Sequence, residues 1–157
     1  MSLSVSQQSR LHYQHRALEE ITAFASAEEI SRTGPDGKWG ILENIAHLVC
    51  YQVVFIQRIE KMVREVNPQL SRYVAEQDPT FETVRKCAKR DLVRKLEEKR
   101  QEIIHLLSSL TETELDRSGV HPVYGKMDIP DWVEMFLLHE AHHLMTIFYL
   151  THVNDVK

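Results

Sequence analysis

The stretch Phe136-Leu-Leu-His-Glu-Ala-His-His-Leu-Met-Thr-Ile-Phe-Tyr-Leu150 places histidines and a glutamate inside an otherwise apolar run. At helical spacing, Trp132, Phe136, His139, His143, Thr146, Ile147 and Leu150 share one face. Val133, Leu137, Leu144, Met145 and Phe148 form an opposite arc. A helix that is apolar nearly all round is either central to a bundle or covered by a second subunit. A homodimer is expected, with a central helix as the alternative. Asp128 is placed to cap this helix, and Pro130 suits its first turn, where a missing N–H costs little.

Working outward, turn-forming residues cluster at Thr33-Gly-Pro-Asp-Gly37, Asn67-Pro68, Asp78-Pro79 and from Ser118 to Pro130. Helical apolar spacing fills most of the intervals. The first helix is expected over residues 6–30, with Leu11, Leu18, Ile21 and Ala25 in one stripe, and the second from after Gly40 to about Val66. Glu43 can reach back to the start of the second helix, as half of a capping box. A third is expected from Pro79 to Leu110, its charge run from Lys89 to Arg100 lying mostly in solvent. The fold class is all-α, an up-down four-helix bundle with a longer connection between helices two and three.

The 157 residues suit one domain, 1–157, with a real core. Five glycines and five prolines leave few breaks, which favours long helices. The net charge of -4 lacks the basic excess of a nucleic-acid binder, so no nucleic-acid partner is expected. Cys50 and Cys87 form no C-x-x-C pair and suit a reducing compartment. The first residues show no apolar signal core, and no run of about 18 apolar residues occurs. A cytoplasmic protein without membrane association is expected.

His139, Glu140 and His143 spell H-E-x-x-H, the zinc-protease signature. That reading fails on its surroundings. No glutamate follows His143, Thr146 and Tyr149 stand where a Gly and a His would continue the motif, and no strand is evident upstream to hold a peptide. The two histidines nevertheless stand one turn apart on an apolar face, where their nitrogens need partners. They are either hydrogen-bonded core residues or two ligands of one divalent ion. Upstream, His47 is the best candidate for a third ligand. It shares a mixed face of helix two with Glu43, Asn44, Cys50, Tyr51, Val54 and Arg58, a face that suits either solvent or a polar pocket. A di-iron bundle would need repeated carboxylate ligands, and only Glu140 with His143 resembles such a pair.

Three blocks carry a family resemblance. Gly37-Lys-Trp-Gly-Ile-Leu-Glu-Asn-Ile-Ala-His47 is similar to the "G-K-W-S-x-x-E-x-x-x-H" segment of the DinB-like family. His121-Pro-Val-Tyr-Gly125 and His139-Glu-Ala-His-His143 resemble its "H-P-x-x-G" and "H-[DE]-x-x-H" blocks. With Arg58 and the Asn67-Pro68 turn, the resemblance spans residues 37–147. Gly40 replaces the customary Ser, and Asp128 a common Thr. The resemblance implies a four-helix bundle that presents His47, His139 and His143 to a divalent metal, nickel or zinc. It also implies kinship with thiol-dependent S-transferases and isomerases, and frequent dimers.

Three imidazoles would leave a coordination position open, as in catalytic sites. A low-molecular-weight thiol or a water activated there could attack a small-molecule substrate, making the protein an S-transferase-like or hydrolase-like enzyme. The alternative is a non-catalytic, metal-stapled dimeric module with a stress-related or partner-binding role. Glu140 is a candidate catalytic base, Arg58 could meet an anionic substrate, and His121 could line the pocket mouth. His142 and Cys50 are read chiefly as packing residues, and Glu43 chiefly as a cap.

Overall fold

Local capping chemistry decides where the helices begin. In the computed structural model, which describes residues 2–152, α1 (Val5–Tyr13) starts from a reciprocal capping box between Ser4 and Gln7. A 3₁₀ turn (Gln14–Arg16) leads into α2 (Ala17–Ile21), and α3 (Ala27–Ser31) follows after a break. The expected single helix over residues 6–30 is therefore segmented. The cause is Ser26, which adopts an extended backbone so that its side chain can cap α3 with Glu29.

Helix α4 (Ile41–Arg64) is continuous, and Glu43 caps it by accepting the Gly40 N–H at 2.7 Å, as expected. A Cβ on residue 40 would lie 2.1 Å from the carbonyl oxygen of Arg32, so the glycine here permits close packing of the preceding loop. The expected third helix is also in two parts, α5 (Pro79–Val84) and α6 (Lys89–Ser109), because Ala88 turns extended and caps α6 with its carbonyl. The bend lets Phe81 reach the core beside Leu92. A short α7 (Glu112–Leu115) precedes an antiparallel hairpin, β1 (Ser118–His121) and β2 (Gly125–Asp128).

That hairpin corrects the reading of residues 118–130 as a loop with no strand. Gly125, at φ 74, makes its turn, and the other edge of β1 is covered where Val120 exchanges two backbone hydrogen bonds with the 68–70 segment. Asp128 accepts the Asp131 N–H at 2.9 Å and caps α8 (Ile129–His152), as its position predicts.

The bundle is built from α1 with α2, α4, α6 and α8. Gln7 bonds Pro130, Arg10 pairs with Glu134, and Gln14 bonds Leu137, so α1 and α8 run the same way. Asn44 meets His143 while Phe55 stacks on Phe136, so α4 runs opposite to α8. Leu11 meets Arg100 and Thr22 meets Lys89, so α6 runs opposite to α1. The expected alternation thus holds from α1 to α4, and the expected longer connection, residues 65–88, carries the chain back before α6. The order is up, down, down, up, and parallel neighbours such as α4 and α6 require that crossover.

One half of the core centres on Phe55, Trp132 and Phe136, the other on Ile45, Phe81 and Ile147. Among the described residues, no single helix is long and apolar enough to cross a membrane.

Candidate metal centre

Helices α4 and α8 run antiparallel, so residues early in one face residues late in the other. This brings His47 to His139 and Asn44 to His143. The mixed face of α4 is therefore a pocket wall, with Asn44, His47, Tyr51 and Arg58 all buried. His47 Nε2 lies 3.0 Å from His139 Nε2, and one nitrogen from each of His47, His139 and His143 falls within 4.8 Å of the others.

Asn44 sets the tautomer of His143. Its side-chain nitrogen donates to the carbonyl of Gly40 at 2.8 Å, which turns its oxygen toward His143 Nδ1, also at 2.8 Å. Nδ1 therefore carries the proton and Nε2 keeps its lone pair. Burial keeps all three rings neutral, and it is the first cause in each case. It pushes His47 down to about 4, and with repulsion from the neighbouring histidines pushes His143 down to about 3 and His139 to about 2.

Converging neutral imidazoles suit a divalent cation. Two nitrogens bound to one ion at about 2.0–2.1 Å stand about 3.0–3.4 Å apart, which the His47–His139 spacing matches. Among the described residues the buried Nδ1 atoms of His47 and His139 have no hydrogen-bond partner, which leaves their Nε2 atoms free to serve as ligands. The residues present fit a metal.

The three rings border a cavity of about 370 Å³. Trp39 and Tyr73 flank it, with ring centroids 5.0 and 5.7 Å from that of His47. Arg58 and His121, both singled out from the sequence, line the same cavity. Arg58 donates to Tyr51 Oη at 3.2 Å and to the Ser71 carbonyl at 2.7 Å. His121 accepts the backbone N–H groups of Val123 and Tyr124 on Nδ1.

Glu140 is not placed for catalysis in this cavity, which corrects the expectation of a base beside His139. The residue is 1% exposed and lies in the core, where one side-chain oxygen accepts from Arg100 Nη2 and the other from Gln14 at 2.9 Å. Arg100, expected on the solvated face of helix three, is fully buried. It also donates to Gln52 at 3.0 Å and to the Leu11 carbonyl at 3.1 Å, so one network ties the four bundle helices together. His142 is exposed, and Cys50 is buried as a small core residue.

Sequence reasoning passed over Asn44, Tyr73, Arg72 and Glu76 as site residues. Asn44 was legible as a neighbour on the His47 face. The other three sit in the crossover, where no periodicity shows which way a side chain points.

A helix bundle with histidines from its second and last long helices around one cavity defines a recognisable class. Residues 10–147 match the DinB superfamily, and the chain belongs to that superfamily. The chain is 27% identical over 142 residues to OB0413 of Oceanobacillus iheyensis, provisionally named a metal-dependent hydrolase; the match covers 86% of this chain and 77% of that one. YfiT from Bacillus subtilis, described provisionally as a metal-dependent hydrolase with an unusual four-helix bundle topology, superposes with a TM-score of 0.84 at 17% identity. That likeness covers 99% of this chain and 92% of YfiT, and shows the shared fold.

Proposed function

We propose that the protein is a cytoplasmic metal-dependent enzyme in which His47, His139 and His143 hold a divalent ion, nickel or zinc. A divalent ion held by three imidazoles supplies Lewis acidity that lowers the pKa of a water or a low-molecular-weight thiol toward neutrality. The names of the two relatives support hydrolysis, and the thiol-transfer version rests on the family resemblance alone.

The chain's own residues prepare the site. Asn44 fixes His143 as a lone-pair donor toward the cavity, and burial holds the three rings neutral. Trp39 and Tyr73 narrow the approach, so that a small molecule, rather than a polypeptide, fits beside the histidines.

The observation that carries this reading is the convergence of the three rings on a cavity. A purely structural ion would call for a fourth protein ligand. Among the described residues the cluster of candidate ligands has three members, which favours the enzyme over a metal-stapled module. Metal analysis of untagged protein tests the site: about one ion per chain is expected, and its loss in His47→Ala. Retention of stoichiometric metal in that variant removes His47 from the site. Turnover of ester and amide panels with and without added thiols then separates hydrolysis from thiol transfer.

The homodimer expected from helix four also stands as a proposal. Leu138, Met145 and Tyr149 are 59–67% exposed along one stripe of α8, an apolar surface suited to a second copy of this chain.

A further inference from the structure

Two arginines are buried in this molecule, and they are treated differently. Arg100 faces Glu140, whose carboxylate neutralises it. Arg58 is 7% exposed and, among the described residues, no carboxylate lies within ion-pair reach of it. Its hydrogen bonds go to two neutral oxygens, of Tyr51 and Ser71, and its guanidinium lies over the rings of Trp132 at 5.3 Å and Tyr51 at 5.7 Å. Aromatic faces recover only part of the desolvation cost of a buried cation. A guanidinium with donors to spare, on a cavity wall, calls for an anion.

The second group is His121. Because its Nδ1 accepts two backbone N–H groups, at 3.1 and 3.2 Å, the ring proton sits on Nε2 and makes it a donor. The ring packs against Trp132, 5.4 Å away, which also lies beneath Arg58. Both side chains line the histidine cavity, together with Arg72 and a single carboxylate, Glu76. A second depression, of about 410 Å³, shares Arg58 and Arg72 and adds Lys61, which lies 3.9 Å from Glu65, and the carboxylate of Asp78.

We propose that this wall is a subsite for an oxyanion carried by the substrate, a carboxylate or phosphate group held by Arg58 and the Nε2–H of His121, with Arg72 at the mouth. The substrate is then an anionic small molecule. Tyr51 spaces the two ends of the site: its ring centroid is 4.0 Å from that of His139, and its hydroxyl accepts from Arg58. The reacting end of the substrate faces the histidines while its anionic end rests on Arg58. The subsite rests on the proposed function only for the identity of the reacting end, because the anion contacts belong to residues outside the histidine cluster.

Both tryptophans, Trp39 and Trp132, adjoin the site, so tryptophan fluorescence reports on it. Metal-free protein is titrated with inorganic phosphate and with succinate at fixed ionic strength, with chloride as control, and the titrations are repeated on zinc-loaded protein. A saturable response to at least one oxyanion, but not to chloride, is expected in the metal-free protein. The tighter of the two probes identifies phosphate or carboxylate as the group recognised. Arg58→Gln is expected to weaken binding tenfold or more, Arg58→Lys less, and His121→Ala several-fold, with folding checked by circular dichroism.

No saturable response, or equal binding by folded Arg58→Gln and wild type, overturns the proposal. Should Arg58→Gln fail to fold, His121→Ala and Arg72→Gln decide, and unchanged affinity in both overturns it. Zinc binding is measured separately, so a chain that binds oxyanion but no zinc overturns the metal reading alone.

Discussion

The side-chain oxygen of Asn44 lies 2.8 Å from Nδ1 of His143, and this contact, made between helices of opposite direction, decides which nitrogen of His143 faces the cavity. Replacing Asn44 with Ala frees the ring to take the other tautomer. Zinc affinity is expected to fall about 10–100-fold, the usual cost of losing such an orienting partner. Asn44→Asp, which keeps an acceptor, should retain most of the affinity. Competition against a chromophoric chelator measures both, and unchanged affinity in Asn44→Ala would show that the contact does not position the ligand.

The Arg100–Glu140 pair should behave as structure rather than catalysis. Glu140→Ala leaves the fully buried guanidinium without its counter-ion, a change that costs about 3–5 kcal/mol. Replacing both partners, as Arg100→Met with Glu140→Leu, should cost clearly less than the Glu140 change alone. Urea unfolding of the four members of this cycle gives the coupling directly. Equal losses in the single and double variants would remove the argument.

Acid should weaken the metal-free protein before its carboxylates titrate. The folded values of about 4, 2 and 3 for His47, His139 and His143 lie below the unfolded histidine value of about 6.5. Between those limits the unfolded chain binds more protons, so stability is complete above about pH 6.5 and falls as pH drops toward 4. Burial lowers His15 and His121 too, with the same sign. Each ring contributes at most about 1.4 kcal/mol per pH unit. Between pH 7.5 and 5.5 a loss on the order of 3 kcal/mol is expected in urea midpoints, and a flat profile would contradict it.

The α8 stripe makes a separate prediction. Met145→Glu places a charge in the proposed seam between copies and should convert a dimer to a monomer by light scattering at micromolar concentration. The change should leave zinc stoichiometry intact, since Met145 is 67% exposed and outside the cavity. A wild-type chain that is already monomeric ends the dimer proposal.

Much of the fold was legible because helix-forming periodicity and turn residues coincide. Gly40 with Glu43, and Asp128 with Pro130, mark the starts of α4 and α8 where the structure has them. What escaped depended on local competition or on distant partners. Ser26 and Ala88 interrupt apolar stripes that would otherwise read as continuous helices. The hairpin over residues 118–128 has only four residues per strand and leans on Pro68 and Leu70, which no local pattern reveals. In the site, His139 and His143 follow from their spacing on one helix. The place of His47 came from resemblance, because a mixed helix face does not say what covers it. Glu140 misled because a protease-like motif drew attention to a side chain that points, one residue further round the helix, at Arg100.

The crossover from α4 to α6 has a consequence beyond chain direction. The histidines stand on two long helices, whereas Arg72, Tyr73, Val74 and Glu76, which face them across the cavity, belong to the returning segment. The histidine cluster and this part of the cavity wall therefore come from separate segments of the chain, while Arg58 shares α4 with His47. Exchanging residues 69–77 between related proteins should alter the mouth of the cavity at Arg72 and Glu76 while leaving the histidine cluster, Arg58 and His121 in place.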